Sequence, residues 1–251
     1  MSLLKVDNLK MSAEEKNLLD GLSFEINEKG IYVILSRSSL ELTALAKALA
    51  GVTVPEDGTV FYKDIELSNK KQGKKLRTKI GYIPKESFLY PDMTAYEVLD
   101  FTGKMRGVSV DKRIRQIKEA LELLALSQLR DAFVKDLNFS EKKRLLLANA
   151  LIGNPGMIII DEPCANVIAE DAELICEVIE MLGERKTVVI LTEKISLANE
   201  LAKCIGIISK GKIALWSSLD NIREKLDNDP NALLKTFIAF TDEAEDAGGD
   251  K

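Results

Sequence analysis

Two runs in this chain are apolar at every position: Ile31-Tyr32-Val33-Ile34-Leu35 and Met157-Ile158-Ile159-Ile160. They are too short for helices, and predict central strands of a parallel sheet, buried on both faces. Leu3–Leu9 and Leu22–Ile26 alternate apolar and polar residues, which predicts further short β segments. Residues 39–50 switch to helix formers and stop at Gly51. Pro55-Glu56-Asp57-Gly58 marks a turn before a strand at Thr59–Tyr62. Lys70–Lys79 reads as a basic, solvated stretch, and Ile80–Ile83 as a short strand ended by Pro84.

Residues 94–135 read as mostly helical, with Ile114, Ile117, Leu121 and Leu124 spaced to share one apolar face. A helix over Glu141–Leu151 is stopped by Gly153-Asn154-Pro155. Beyond strand 157–160 the pattern predicts a helix at 170–182, a strand at Thr187–Leu191 and a helix at 196–203. Strands follow at 204–209 and 212–216, then a helical stretch at 218–238. Thr241–Lys251 is acidic with almost no apolar residues, which predicts disorder.

With 251 residues, 46% hydrophobic and 30% charged, the chain suits one globular domain or a domain with a subdomain. Its 35 basic and 40 acidic residues, net charge -5, argue against a nucleic-acid partner. Cys164, Cys176 and Cys204 lack metal-ligand spacing and read as small buried residues in a reducing, cytosolic setting. No apolar run approaches the ~20 residues that a bilayer span requires. MSLLKVDNLK lacks the apolar centre of a signal peptide.

Candidate chemistry concentrates where the 157–160 strand ends in Asp161-Glu162-Pro163. Carboxylates at the carboxyl end of a parallel strand stand where ligands gather in open α/β sheets. Yet the chain has no GxxxxGK[ST] loop to hold a phosphate, and no histidine.

The order of elements, with several segments, resembles an ATP-binding cassette (ABC) domain over about residues 2–225. Those segments are Ile80–Pro84 followed by Leu89–Thr94, Arg144–Pro155 running into Met157–Pro163, and Ser209–Ile213. The resemblance implies an α/β fold: a P-loop NTPase-like parallel sheet core with an antiparallel β subdomain and a helical subdomain at about 88–140. A nucleotide-binding domain would then span 1–225, and 226–251 would hold a C-terminal helix and an acidic disordered tail.

The resemblance also implies roles by position. The Walker A loop falls on Ser36, Arg37, Ser38, Ser39, Leu40, Glu41, Leu42 and Thr43, without its glycines and with Leu42 at the lysine position. Lys85 takes the Q-loop glutamine position, and Asn138, Phe139 and Ser140 the signature. Asp161 and Thr43 take the magnesium-ligand positions, Glu162 that of the general base, and Glu193 that of the switch histidine. Leu42 removes a charge-assisted contact of ~1.5–3 kcal/mol. A carboxylate at Glu41, ~4 Å from a phosphate at an effective dielectric of ~20, adds about 4 kcal/mol of repulsion. Together they lower ATP affinity by about a thousandfold or more. Ser38 and Glu41 have capping-box spacing, so this helix is expected to cap itself. Lys85 is expected to approach Asp161 or Glu162 in place of a metal ion.

The function implied is a cassette subunit with impaired or absent ATP binding and hydrolysis. It would act structurally, docked on a multi-span membrane permease at the inner face of the cell membrane. Phe88–Val98 and the helical face through Leu124 would supply the docking surface. Its other partner is a second copy or another cassette. One alternative is an active ATPase using magnesium-ATP through Thr43, Asp161, Glu162 and Arg37 or Lys85. The other is a soluble scaffold without transport.

Overall fold

The computed structural model describes residues 2–13, 16–86 and 89–246. Its centre is a six-stranded sheet. Five parallel strands lie in the order β9 (Cys204–Ser209), β3 (Gly30–Leu35), β8 (Thr187–Thr192), β7 (Met157–Asp161) and β6 (Ile80–Ile83). β10 (Lys212–Ser218) closes the β9 edge antiparallel. A second, antiparallel sheet has the order β2 (Lys16–Ile26), β1 (Leu4–Ala13), β4 (Asp57–Tyr62) and β5 (Ile65–Glu66).

The uniformly apolar strands are buried on both faces because each face meets a different core. Ile31, Val33, Leu35, Ile158 and Ile160 join one core with the helices α3 (Ala95–Met105), α4 (Val110–Leu123), α5 (Phe139–Leu151), α6 (Ala169–Gly183) and α7 (Ile195–Leu201). Tyr32, Ile34, Met157 and Ile159 join the other, with the antiparallel sheet and α1 (Ser39–Leu49). The period-2 alternation of a strand thus supplies two cores at once.

Four expectations are corrected. Lys70–Lys79 is not simply a solvated stretch: it holds a short helix, α2 (Gln72–Arg77), in which Gly73 is buried. A Cβ there would lie 2.3 Å from the Leu67 carbonyl oxygen, so the helix docks only through a glycine. The 218–238 stretch is two helices, α8 (Leu219–Glu224) and α9 (Ala232–Asp246). They part where Asp227 and Asn228 adopt positive φ just before Pro230, which cannot continue a helix. α9 also carries the helix through 241–246, where disorder was expected. Phe237 and Thr241, one turn apart, are both buried and hold it down. The rest of the acidic tail lies outside the described residues. On α4, Ile117 and Leu121 are buried and Ile114 is 52% exposed, so the apolar face is narrower than its spacing implies.

Candidate functional site at the carboxyl edge of the sheet

Leu35, Thr192, Asp161 and Ile83 end adjacent parallel strands, so the loops that follow converge on one edge. α1 starts there. Its N-cap is Ser38, whose Oγ accepts from the Glu41 amide at 3.4 Å. The reciprocal half of the expected capping box is absent. Ser36 Oγ intervenes, accepting from the Ser38 amide at 2.9 Å and donating to Glu41 at 2.5 Å. Ser36 is buried, so its hydroxyl reaches the carboxylate first and relays the contact.

Leu42 is fully buried in the core beneath the antiparallel sheet. Thr43, one residue on, points the other way: its Oγ1 donates to Asp161 Oδ2 at 2.8 Å. Arg37 leaves the loop outward and meets α9. Its Nε donates to Thr241 Oγ1 at 2.9 Å, its Nη2 pairs with Asp242, and its guanidinium lies 5.9 Å from the Phe237 ring centre. No sequence signal pointed to this latch, because 204 residues separate Arg37 from Thr241.

Asp161 is completely buried, and burial raises its pKa, opposed chiefly by the Thr43 hydrogen bond and then by the Lys143 charge. Its Oδ1 has no partner among the described residues, and neither does the buried Tyr82 hydroxyl. Burial, with Asp161 adding, pushes the Tyr82 pKa up. Glu162 is held at both oxygens: Thr192 Oγ1 donates to Oε2 at 3.0 Å, and the Glu193 amide to Oε1 at 2.7 Å. The Glu193 side chain is exposed. Glu162 also sits at φ 52°, an uncommon conformation for a residue with a side chain.

Lys85 does not pair with either carboxylate. Its Nζ donates to Ser39 Oγ at 2.6 Å, and its charge is the weakest of the influences resolved on Asp161. The buried cation at the strand end is Lys143, from α5. It is 6% exposed and donates to the Pro84 and Asp161 carbonyl oxygens at 3.2 and 3.3 Å. Burial lowers its pKa to about 8, against the attraction of Asp161. Sequence reading passed over Lys143, although it shares the helical face of the buried Leu146, Leu147 and Ala150.

The start of α5 is closed by its own side chains. Asn138 Oδ1 accepts from the Glu141 amide at 2.9 Å, and Glu141 Oε2 accepts from the Asn138 amide at 2.8 Å. Phe139 is 77% exposed, and Ser140 is buried, accepting from the Ile168 amide at 3.2 Å. The N-termini of α1 and α5 therefore both carry a glutamate in the first turn, where a helix dipole favours negative charge.

Residues 19–165 match the family model described as ABC transporter. A putative ABC transporter ATP-binding protein of Archaeoglobus fulgidus is 30% identical over 245 residues, spanning 94% of this chain and 83% of the relative. The molybdate/tungstate import ATP-binding protein WtpC of Methanocaldococcus jannaschii is 29% identical, spanning 95% of this chain and 77% of the relative. Among solved structures, an ATP-binding subunit of an ABC transporter superposes with a TM-score of 0.83 at 20% identity, over 95% of this chain and 99% of that one. That structural likeness carries the fold, and the sequence match carries the kinship: the chain belongs to the ABC transporter family, as one of its ATP-binding subunits.

Proposed function

We propose that this subunit does not bind or hydrolyse magnesium-ATP in its family's manner, and serves its transporter as a structural partner. The observation that carries this is the filling of both anion-binding helix ends by the chain's own side chains. A helix N-terminus holds phosphate through unpaired amides and its dipole. Here the Glu41 and Glu141 amides are taken by Ser38 and Asn138, and both termini carry carboxylates. At the lysine position Leu42 is buried in the core, away from any ligand. The loop at Ser36, Ser38, Ser39 and Glu41 does not fit a triphosphate, and magnesium depends on phosphate oxygens for part of its shell. In this reading Glu162 is a vestigial base, held by Thr192 and the Glu193 amide, and Asn138, Phe139 and Ser140 are a vestigial signature. The names of the relatives assign ATP binding to those proteins.

The subunit would dock on a multi-span permease at the inner face of the cell membrane and pair with a second copy or another cassette. Of the expected docking surface, Val98, Ile117, Leu121 and Leu124 are buried in the core, so the apolar residues left to a partner include Tyr90, with Phe101 and Met105 beyond it, Tyr90 and Phe101 meeting edge to face at 6.0 Å. Phe88, the first residue of the expected surface, lies outside the described residues. Among the described residues no helix is long and apolar enough to cross a membrane.

A second reading, an ATPase with an atypical site, draws on the Thr43–Asp161 contact and the unpartnered Asp161 Oδ1, which offers an acceptor to a cation. Thermal unfolding with magnesium-ATP separates the two. A ligand a hundredfold above its Kd adds about 2.7 kcal/mol to stability. No upward shift at millimolar nucleotide is expected. A clear shift that Asp161→Asn abolishes would instead refute the loss of nucleotide binding and favour the ATPase.

A further inference from the structure

Cys164 and Cys176 take no part in the contacts assigned above. Cys164 lies on the loop that leaves β7, two residues past Glu162, and Cys176 lies inside α6. Their Sγ atoms are 4.0 Å apart across 12 residues of chain. A disulfide has its sulfurs about 2.05 Å apart, so closure asks for an approach of about 2 Å. One partner sits on a regular helix. The other sits on irregular backbone between Glu162 and Asn166, both at positive φ, so the loop can supply the movement.

We propose that Cys164 and Cys176 are a modification site, closing into a reversible intrachain disulfide that ties the loop behind the acid-ended strand to α6. The chemistry around the pair is asymmetric in the sense that exchange needs. The two thiols share a hydrogen bond in which either sulfur can donate, and the contact with Cys176 holds the Cys164 pKa below the ordinary thiol value, against burial. Lys194 and Lys143 act in the same direction, and the Lys194 ammonium is fixed beside Cys164 by donating to its carbonyl oxygen at 2.9 Å. The same thiol contact and burial push the Cys176 pKa up. The Lys194 ammonium beside Cys164 favours its thiolate, the attacking species, so Cys164 attacks and Cys176 resolves.

The co-reactant is a low-molecular-weight disulfide, with glutathione disulfide as the probe. The Cys164 thiolate bonds to one sulfur, the glutathione S–S bond breaks, and one glutathione thiolate leaves. Cys176 then gives its proton to solvent and attacks the Cys164 sulfur, expelling the second glutathione. Two protein thiols are oxidised by two electrons, and one small disulfide is reduced to two thiols. With 8% and 9% of their surface exposed, the cysteines meet the oxidant only when the loop opens, so the reaction is slower than on an open thiol. Cys204 is an internal control: it is half-buried and its thiol is pushed up to about 11 by burial.

The test uses the reduced full chain, incubated with glutathione disulfide, denatured, alkylated and mapped by peptide mass. Three free thiols should fall to one, leaving Cys204 alkylated and the Cys164 and Cys176 peptides joined. Cys176→Ser should stop the reaction at a glutathione adduct on Cys164, and dithiothreitol should reverse every change. The bridged protein should melt several degrees higher than the reduced form. Three intact thiols after prolonged incubation, or Cys204 reacting ahead of the pair, would overturn the proposal. The wild-type mapping decides even if the variant fails to fold.

Discussion

Lys143 is a buried ammonium whose cost shows up as a pH dependence of stability. It is 6% exposed, and burial brings its pKa from 10.5 to about 8. The folded protein therefore releases this proton more readily than the unfolded chain. Between the two values the unfolded state binds more protons, so stability rises with pH. The penalty is full below pH 8, shrinks as the pH climbs, and vanishes above 10.5. Integrated from pH 8 to ~9.5, this one group adds about 1–2 kcal/mol. For a chain of this length that is about 2–8 °C in Tm. Lys143→Met keeps the length of the side chain and removes the titration, so it isolates the effect. Urea unfolding across this range should show the increment in the wild type and a flatter curve in the variant. Comparing the two curves also cancels Tyr32, Tyr62 and Tyr82, whose raised pKa values act in the opposite sense at higher pH. Equal slopes in the two proteins would show that Lys143 is solvated and that its place at the strand end has been misjudged.

Two further outcomes follow from the capped helix ends. Asn138→Ala opens the α5 capping box and should lower stability by ~0.5–2 kcal/mol in urea unfolding, and Asn138→Gly by only a few tenths. The Arg37–Asp242 pair is about half exposed, so Asp242→Asn should cost ~0–1 kcal/mol and mainly speed hydrogen exchange at the end of α9. Added salt should produce the same acceleration in the wild type and little in the variant; no change in either would show that Thr241 and Phe237 hold the end of α9 without the ion pair.

The uniformly apolar runs at 31–35 and 157–160 could be read as central strands because only burial on both faces tolerates such a pattern. α1 and α5 were likewise legible from their helix formers and stop residues. The break within the 218–238 stretch was also written in the chain, as the turn-forming run Asp227-Asn228-Asp229-Pro230, but the apolar spacing on either side masked it. The α9 extension was hidden for a related reason. Its last turns are polar, and only tertiary packing, with Arg37 on Thr241 and Phe237 in the core, gives those residues something to cover.

At the site, local chemistry was written in the chain and distant chemistry was not. The spacing of Ser38 and Glu41 announced a cap, since both groups lie within one helical turn. That Ser36 would stand between them was decided by its burial under the loop. Asp161 and Glu162 were visible as the end of a strand, but which cation would face them was not. Lys85 follows a neighbouring strand yet reaches Ser39, while Lys143 arrives from the inner face of α5. Sequence determines the period that buries a residue and the contacts within a turn. Which charges meet across ~20 to 200 positions depends on how strands and helices are stacked, because a buried charge is governed by whatever neighbours packing supplies.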